Sequence, residues 1–303
     1  MRVGGKEFIQ YVLAKLLLGT FGSMPRGVAY RIGDIVAGAG YRLARRQRET
    51  GMYNLRMALP DLSDDERERI IRQVFRNLGR LLVEFSNFPR LTRDNIPDIV
   101  EYEGLDNYLE GHRRGNGILY LTAHIGSWEL CSFAHSVYGY PLKFLTRPID
   151  NPLIDKLITR FRTWSGNQVI DRTDAVRDVL KALRNNEAVG ILADQNTTRS
   201  EGVFVDFFGI PAATTPGLAT FALRTGAAVI PVYLRWDESR KRHILHFAPP
   251  LDLITTGDRK QDIEENTRMF NQVLEAFVRE FPDQWLWIHR RWKTRPEGED
   301  PLY

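Results

Sequence analysis

Apolar residues crowd the stretch 8–21, FIQYVLAKLLLGTF, where only Gln10 and Lys15 interrupt them, and they cover most of the surface a helix presents. A second helical pattern spans about 25–48. Ser63, followed three residues later by Glu66, forms a capping box that opens an amphipathic helix running to about 88. The first hundred residues are therefore predicted to be helical. From about Tyr102 the period changes. Short apolar runs at 117–122 (GILYLT), 142–146 (LKFLT), 188–193 (AVGILA), 227–234 (AAVIPVYL) and 243–247 read as strands. Helical patterns at 128–137, 152–164, 175–185 and 216–225 lie between them. Strands alternating with helices predict an α/β fold with a mixed, largely parallel central sheet flanked by helices, and chemistry at the strand ends.

Fourteen apolar-rich residues fall short of the roughly 20 that cross a bilayer. No small-residue cleavage site follows them. Two readings stand side by side: a helix packed on the body of the domain, and an interfacial anchor with Lys6 and Arg26 at the headgroups. The predicted organisation is a hydrophobic, amphipathic anchoring helix over 1–24, forming a membrane-associated layer, and one α/β domain over 25–303. Arg42, Arg45, Arg46 and Arg48 read either as a solvated face or as a lipid-phosphate patch. Gly38-Ala39-Gly40 is no dinucleotide fingerprint, because no strand precedes it and Leu43 stands where the third glycine belongs. Glycines there suit close helix packing.

Composition narrows the classes. At 303 residues, 43% hydrophobic and 26% charged, the chain buries a core without disulfide or metal staples. A single cysteine, Cys131, excludes a disulfide framework and argues against a cysteine-rich zinc site. Forty-two basic against 38 acidic residues leave a net charge of +4, which suits an anionic membrane surface or phosphorylated substrates but is not a nucleic-acid arm.

The informative junction is Thr122-Ala123-His124-Ile125-Gly126-Ser127-Trp128-Glu129. His124 follows a predicted buried strand, and the next helix opens beside it with free N–H groups. Glu129, one turn into that helix, is expected to reach one imidazole nitrogen, fix the tautomer and leave the other nitrogen as a base. The competing chemistries lack their signatures. Ser127 has no G-x-S-x-G around it, no H-E-x-x-H or G-x-x-x-x-G-K-[ST] occurs, and Cys131 sits inside a helix as a small apolar residue.

His124 to Glu129 resembles the H-x4-[D/E] box of the glycerolipid (lysophospholipid) acyltransferase superfamily. More narrowly, the chain resembles the lipid A biosynthesis (lauroyl/myristoyl) acyltransferases of Gram-negative envelopes. Ordered blocks carry the likeness: Phe144-Leu145-Thr146-Arg147-Pro148 with Asn151-Pro152-Leu153, Ile170-Asp171-Arg172, Asp194-Gln195, Gly202 to Gly209, and Trp285-Leu286-Trp287-Ile288-His289-Arg290-Arg291-Trp292-Lys293-Thr294-Arg295-Pro296. Ala123 stands where many relatives carry asparagine, and the acid is Glu129 where the superfamily commonly has Asp.

The resemblance implies direct transfer of a fatty acyl chain from an acyl carrier protein thioester to a hydroxyl of a lipid A precursor, at the cytoplasmic face of the bacterial inner membrane. It implies no cofactor and no metal; the partners are the carrier protein, the anionic glycolipid and membrane lipids. His124 is then the general base and Glu129 its orienting partner. Arg147 and Arg162, with Arg160 as an alternative to the latter, take the acceptor's phosphates or the donor's phosphopantetheine. Arg172 and Arg290 join them as substrate-binding residues. Asp194 is expected to hydrogen-bond His124 or an arginine, and Glu201 is a further candidate. His289, Arg290, Arg291, Lys293 and Arg295, interleaved with Trp285, Trp287 and Trp292, read as an interfacial belt on anionic headgroups. Such interleaving also suits single-stranded nucleic acid, but no nucleic-acid motif accompanies it. Two alternatives stay open: another glycolipid or aminolipid acceptor served by an acyl carrier protein or acyl-CoA donor, and a non-catalytic lipid-binding protein.

Overall fold

The computed structural model describes residues 4–170 and 175–303. Its helical first third consists of α1 (Gly5–Ser23), α2 (Arg26–Leu43), α3 (Arg45–Ala58) and α4 (Asp64–Asn87). The single helix expected over 25–48 is two, because the chain leaves helical geometry at Ala44, with φ −85° and ψ 58°. α4 starts on the predicted box: Ser63 Oγ accepts the Glu66 N–H at 3.3 Å, and the Glu66 carboxylate accepts the Ser63 N–H at 2.8 Å.

α1 packs on the body with one face, burying Leu18 and Phe21. The Asn151 side-chain amide donates to the Glu7 carbonyl at 2.9 Å. Its other face leaves Phe8, Ile9, Leu13 and Leu16 more than half exposed. Among the described residues, no helix is long and apolar enough to cross a membrane. The close approach of α2 to α4 is not at the expected Gly38-Ala39-Gly40. It is at Gly33 and Gly79, where a Cβ on Gly79 would lie 2.6 Å from the Gly33 carbonyl oxygen. Gly40 faces Phe75, and Gly38 faces open space.

The remainder alternates strands and helices: β1 (Val100–Glu103), α5 (Leu105–Arg113), β2 (Ile118–Thr122), α6 (Trp128–Val137), β3 (Leu142–Leu145), α7 (Pro152–Arg162), β4 (Gln168–Ile170), α8 (Ala175–Arg184) and β5 (Ala188–Leu192). Then follow β6 (Val203–Phe207), β7 (Ile210–Thr214), α9 (Gly217–Thr225), β8 (Ala228–Asp237), β9 (Arg242–Phe247) and α10 (Arg259–Glu280). Seven strands form one sheet in the order β1-β9-β8-β2-β5-β3-β4, and β6-β7 is a separate antiparallel hairpin. Within the large sheet only β8 and β9 pair antiparallel, so the expected mixed, largely parallel sheet is what forms. Because side chains alternate along a strand, β2 feeds two cores. Leu119 and Leu121 pack with Val179, Leu183 and Leu274, while Ile118 and Tyr120 pack with Leu130 and Phe133 on the other face.

Candidate active site

β2 and β5 lie side by side and parallel, with Thr122 opposite Leu192. Two residues further along each chain come His124 and Asp194, so the register itself brings an imidazole and a carboxylate together at the strand ends. His124 Nδ1 lies 2.8 Å from Asp194 Oδ1, and the His124 backbone N–H donates to Oδ2 at 2.9 Å. The Trp285 indole N–H donates to the same Oδ2 at 2.8 Å. Three donors thus hold a carboxylate that is only 2% exposed. Burial alone would raise its pKa, but the charge and hydrogen bonds of His124, with the indole N–H, bring it down to about 2. On the imidazole, burial pulls the pKa down. Asp194, seconded by the Glu129 charge, outweighs that pull and leaves the pKa above its ordinary 6.5.

Nδ1–H facing Asp194 fixes the tautomer, so the lone pair sits on Nε2. The Gln195 side-chain amide nitrogen lies 3.2 Å from that atom and donates to it. The loop carrying His124 is pinned from two sides. Gly126 N–H donates to the Gln284 carbonyl at 2.8 Å, and Leu286 N–H donates to the His124 carbonyl at 3.2 Å. Gly126 itself has φ +55°, and a Cβ there would meet the Leu234 carbonyl oxygen at 2.1 Å, so only glycine fits.

Glu129 does not take the place expected of it. Its carboxylate accepts Nε of Arg162 at 2.9 Å and an Nη of the same guanidinium at its other oxygen. The imidazole is oriented by Asp194 instead, its neighbour in register. A carboxylate at the start of α6 finds in the α7 arginine a two-pronged partner that outcompetes a single imidazole N–H. Of the two arginines considered, Arg162 is the one beside Glu129, whereas Arg160 stacks over Trp164 at 5.4 Å.

Two cavities lie near the imidazole, each lined by one of its neighbours, Gln195 or Trp128. One, 680 Å³ and polar, includes Arg46, Arg147, Gln195, Glu201, Arg290 and Lys293 in its walls. The other, 80 Å³ and more apolar, lies along Trp128, Leu142, Phe144 and Leu192, with Glu129 and Arg162 in its wall. His124 packs against Trp128 with ring centroids 5.1 Å apart. One side of the imidazole therefore meets a wall residue of the polar cavity, Gln195, and another meets a wall residue of the apolar one.

The other predicted residues divide. Arg147, Arg290 and Glu201 converge on the polar cavity. Arg172 lies outside the described residues. The expected interfacial belt is a correction: Trp285, Trp287 and Trp292 are at most 1% exposed, and Arg291 is fully buried. Arg291 donates to the Ala213 carbonyl at 2.8 Å, the Thr214 hydroxyl at 2.6 Å and the Gln195 carbonyl at 3.4 Å, clamping the turn that carries the site. Burial brings its guanidinium down to about 10. Asn54 of α3 holds the same segment by donating to the Trp287 and His289 carbonyls at 2.7 Å each. Burial likewise lowers His289, to about 4, and its Nε2 accepts the Asn196 N–H at 3.2 Å. Sequence reasoning missed Gln195 as a group touching the imidazole and Arg46 as a wall of the polar cavity. The first was legible only as the residue after a strand-end acid.

The family model described as bacterial lipid A biosynthesis acyltransferase matches residues 6–294. A lipid A biosynthesis palmitoleoyltransferase of Escherichia coli is 30% identical over 92% of this chain and 90% of its own length. A lipid A biosynthesis lauroyltransferase of the same organism is 30% identical over the same shares of the two chains. A lipid A biosynthesis acyltransferase of Haemophilus influenzae is 27% identical over 90% of this chain and 85% of its own length.

Proposed function

The chain belongs to the bacterial lipid A biosynthesis acyltransferases, and from that premise we propose that it moves a fatty acyl chain from an acyl carrier protein thioester directly onto a hydroxyl of a lipid A precursor. The observation that carries the reading is the imidazole set between a wall residue of each cavity, its Nδ1 held by buried Asp194 and its Nε2 met only by the Gln195 side-chain amide. The acceptor hydroxyl displaces the Gln195 amide, and Nε2 takes its proton as the new C–O bond forms. The C–S bond then breaks, and the imidazolium returns the proton to the departing thiolate. The first amides of α6, which lack intrahelical acceptors, face the developing oxyanion. Arg162, held by Glu129, sits where the acyl chain enters the apolar cavity and meets the thioester or its phosphopantetheine arm. Arg46, Arg147, Arg290 and Lys293 receive the acceptor's phosphates in the polar cavity.

The apolar residues exposed on α1 and α2 lie on the cytoplasmic face of the inner membrane in this reading, where both lipid substrates are presented. The test is transfer of a radiolabelled chain by purified protein, with carrier-protein and coenzyme A thioesters each offered to a lipid A precursor and to other glycolipids. His124→Ala is expected to lower turnover by about 10²–10⁴-fold. Wild-type turnover in that variant removes the base, and preference for coenzyme A or another glycolipid removes the donor or acceptor assigned here.

A further inference from the structure

A second basic concavity, sharing no residue with the two beside His124, lies between α2 and α4. It encloses 390 Å³, and its walls include Gly38, Tyr41 and Arg42 of α2 with Arg69, Arg72 and Arg76 of α4. The three arginines of α4 stand at spacings of three and four, which places them on one helix face. Arg72 is bound to Glu68 and stacks over Tyr41 at 4.5 Å. Arg42, Arg69 and Arg76 are exposed and have no acidic partner among the described residues. The one carboxylate on the wall is Asp34. With Arg72 paired to Glu68, the three remaining guanidinium groups face one wall carboxylate, Asp34, and form a receptor for an anion of phosphate type.

The adjoining face of α2 tells which anion. Helical geometry puts Arg42 about 20° around the axis from Ile35, at the edge of a stripe formed by Val28, Ile35, Ala39 and Leu43. Ile35 is 71% exposed and Leu43 is 83% exposed. A charged hollow bordered by bare hydrocarbon matches a molecule that joins the two, and an acidic protein surface supplies only the first.

We propose that the α2–α4 groove binds the phosphate-bearing headgroup of an anionic bilayer phospholipid, whose acyl chains run out over the apolar stripe of α2. The groove thereby fixes how the chain sits on an anionic membrane, separately from the acceptor's own phosphates. This rests on the reading that α1 and α2 face a bilayer, and the experiment separates the two. The full chain is floated with vesicles of phosphatidylcholine and with an equal mixture of phosphatidylcholine and phosphatidylglycerol. A surface basic residue contributes about fivefold to such binding, so Arg42→Gln/Arg69→Gln/Arg76→Gln is expected to bind the mixed vesicles about 100-fold more weakly and the neutral ones unchanged. Gly38→Trp, which fills the hollow and keeps every charge, is expected to lose about tenfold on the mixed vesicles. Arg113→Gln/Arg184→Gln/Arg224→Gln, equal in charge and elsewhere on the surface, is expected to stay within about threefold.

Equal losses in both triple variants, or none in Gly38→Trp, overturn the groove in favour of diffuse charge. A groove triple that keeps mixed-vesicle binding but loses an acidic carrier protein assigns the site to a protein and overturns the lipid. Displacement of the mixed vesicles by inorganic phosphate at concentrations too low to screen charge makes it a free-phosphate site and likewise overturns it. Wild-type binding to neither vesicle overturns the membrane reading itself, whereas equal binding to both overturns only the groove.

Discussion

Asp194→Asn keeps the size of a buried side chain and inverts one hydrogen bond. Oδ2 accepts two N–H donors, the His124 amide at 2.9 Å and the Trp285 indole at 2.8 Å. In the variant the amide oxygen must stay there, because placing NH₂ opposite two donors leaves three buried groups unpaired. The NH₂ group then takes the place of Oδ1 and donates to His124 Nδ1. The ring proton moves to Nε2, the nitrogen that has to accept the hydroxyl proton. Turnover is expected to fall by the full contribution of a positioned base, about 10²–10⁴-fold. The pH profile moves as well. In the wild type the Asp194 charge outweighs burial and keeps the His124 pKa above 6.5. The acid limb of kcat/KM therefore lies above that value, activity being lost as pH falls and the imidazole protonates. Without the counter-charge, burial seconded by the Arg162 charge outweighs the smaller pull of Glu129, and the limb of the residual activity moves below 6.5. The assay is radiolabelled acyl transfer across the pH range, with circular dichroism confirming the fold. Turnover within about threefold of wild type, or an acid limb that stays in place, refutes the assignment of Asp194 as the group orienting the base.

Arg162→Gln strands Glu129 without its guanidinium and is expected to lower kcat/KM for the thioester about 10–100-fold; Arg162→Lys rescues little, because an ammonium cannot make both bonds to the carboxylate. Kinetics with varied donor check this, and full rescue by lysine contradicts it. Gly190 of β5 lines the apolar cavity, and a Cβ there meets Leu142 Cδ1 at 3.4 Å. Gly190→Val is therefore expected to shift preference toward shorter acyl chains, read by competition within a ladder of thioesters. Trp287→Ala removes a fully buried indole and is expected to cost about 3–5 kcal/mol in urea unfolding. A solvent-facing belt residue would cost less than about 0.5 kcal/mol.

Where periodicity and burial pointed the same way, the chain was legible. The runs at 117–122, 188–193 and 227–234 became β2, β5 and β8, the central strands, because continuous apolar segments have nowhere else to go. β4 and β1 escaped because three or four residues carry no period. The hairpin of β6 and β7 was visible only as a family block, and α10 was hidden because its buried positions include the polar Asp262, Asn266, Thr267 and Asn271. In the site, His124 was placed correctly by the junction it occupies. Of its two named acids, separation along the chain favoured Glu129 as the orienting partner, whereas the expected hydrogen bond to Asp194 is the one that forms, set by the parallel register of Thr122 against Leu192. The terminal tryptophans failed for a related reason. Interleaved aromatic and basic residues look alike on a surface and in a core, and what decided the matter here was the buried partners they find, Asp194 and Asn54 distant in sequence and Pro282 near. Asp194 and the Pro282 carbonyl accept two of the indole N–H groups, and Asn54 holds the backbone between them.

The arrangement also bears on whether the acyl chain stops on the protein. A covalent intermediate needs a hydroxyl or thiol within reach of the base. Among the described residues, the imidazole is hydrogen-bonded to Asp194 and Gln195 and to no hydroxyl or thiol. Cys131 lines the apolar cavity, but burial pushes its thiol up to about 12, so at neutral pH the nucleophilic thiolate is essentially absent. Ser127 is 2% exposed, and its Oγ has no partner to take its proton. The lone pair on Nε2 is thus left for an incoming group, and the amide now donating to it belongs to a wall of the cavity lined by basic side chains. An imidazole that touches a wall residue of the polar, basic-lined cavity on one side and of the apolar cavity on another suits the proposal that both substrates are bound at once. In the proposed reaction, transfer then passes in a single step between them, and the hydroxyl that attacks the thioester is the lipid's own.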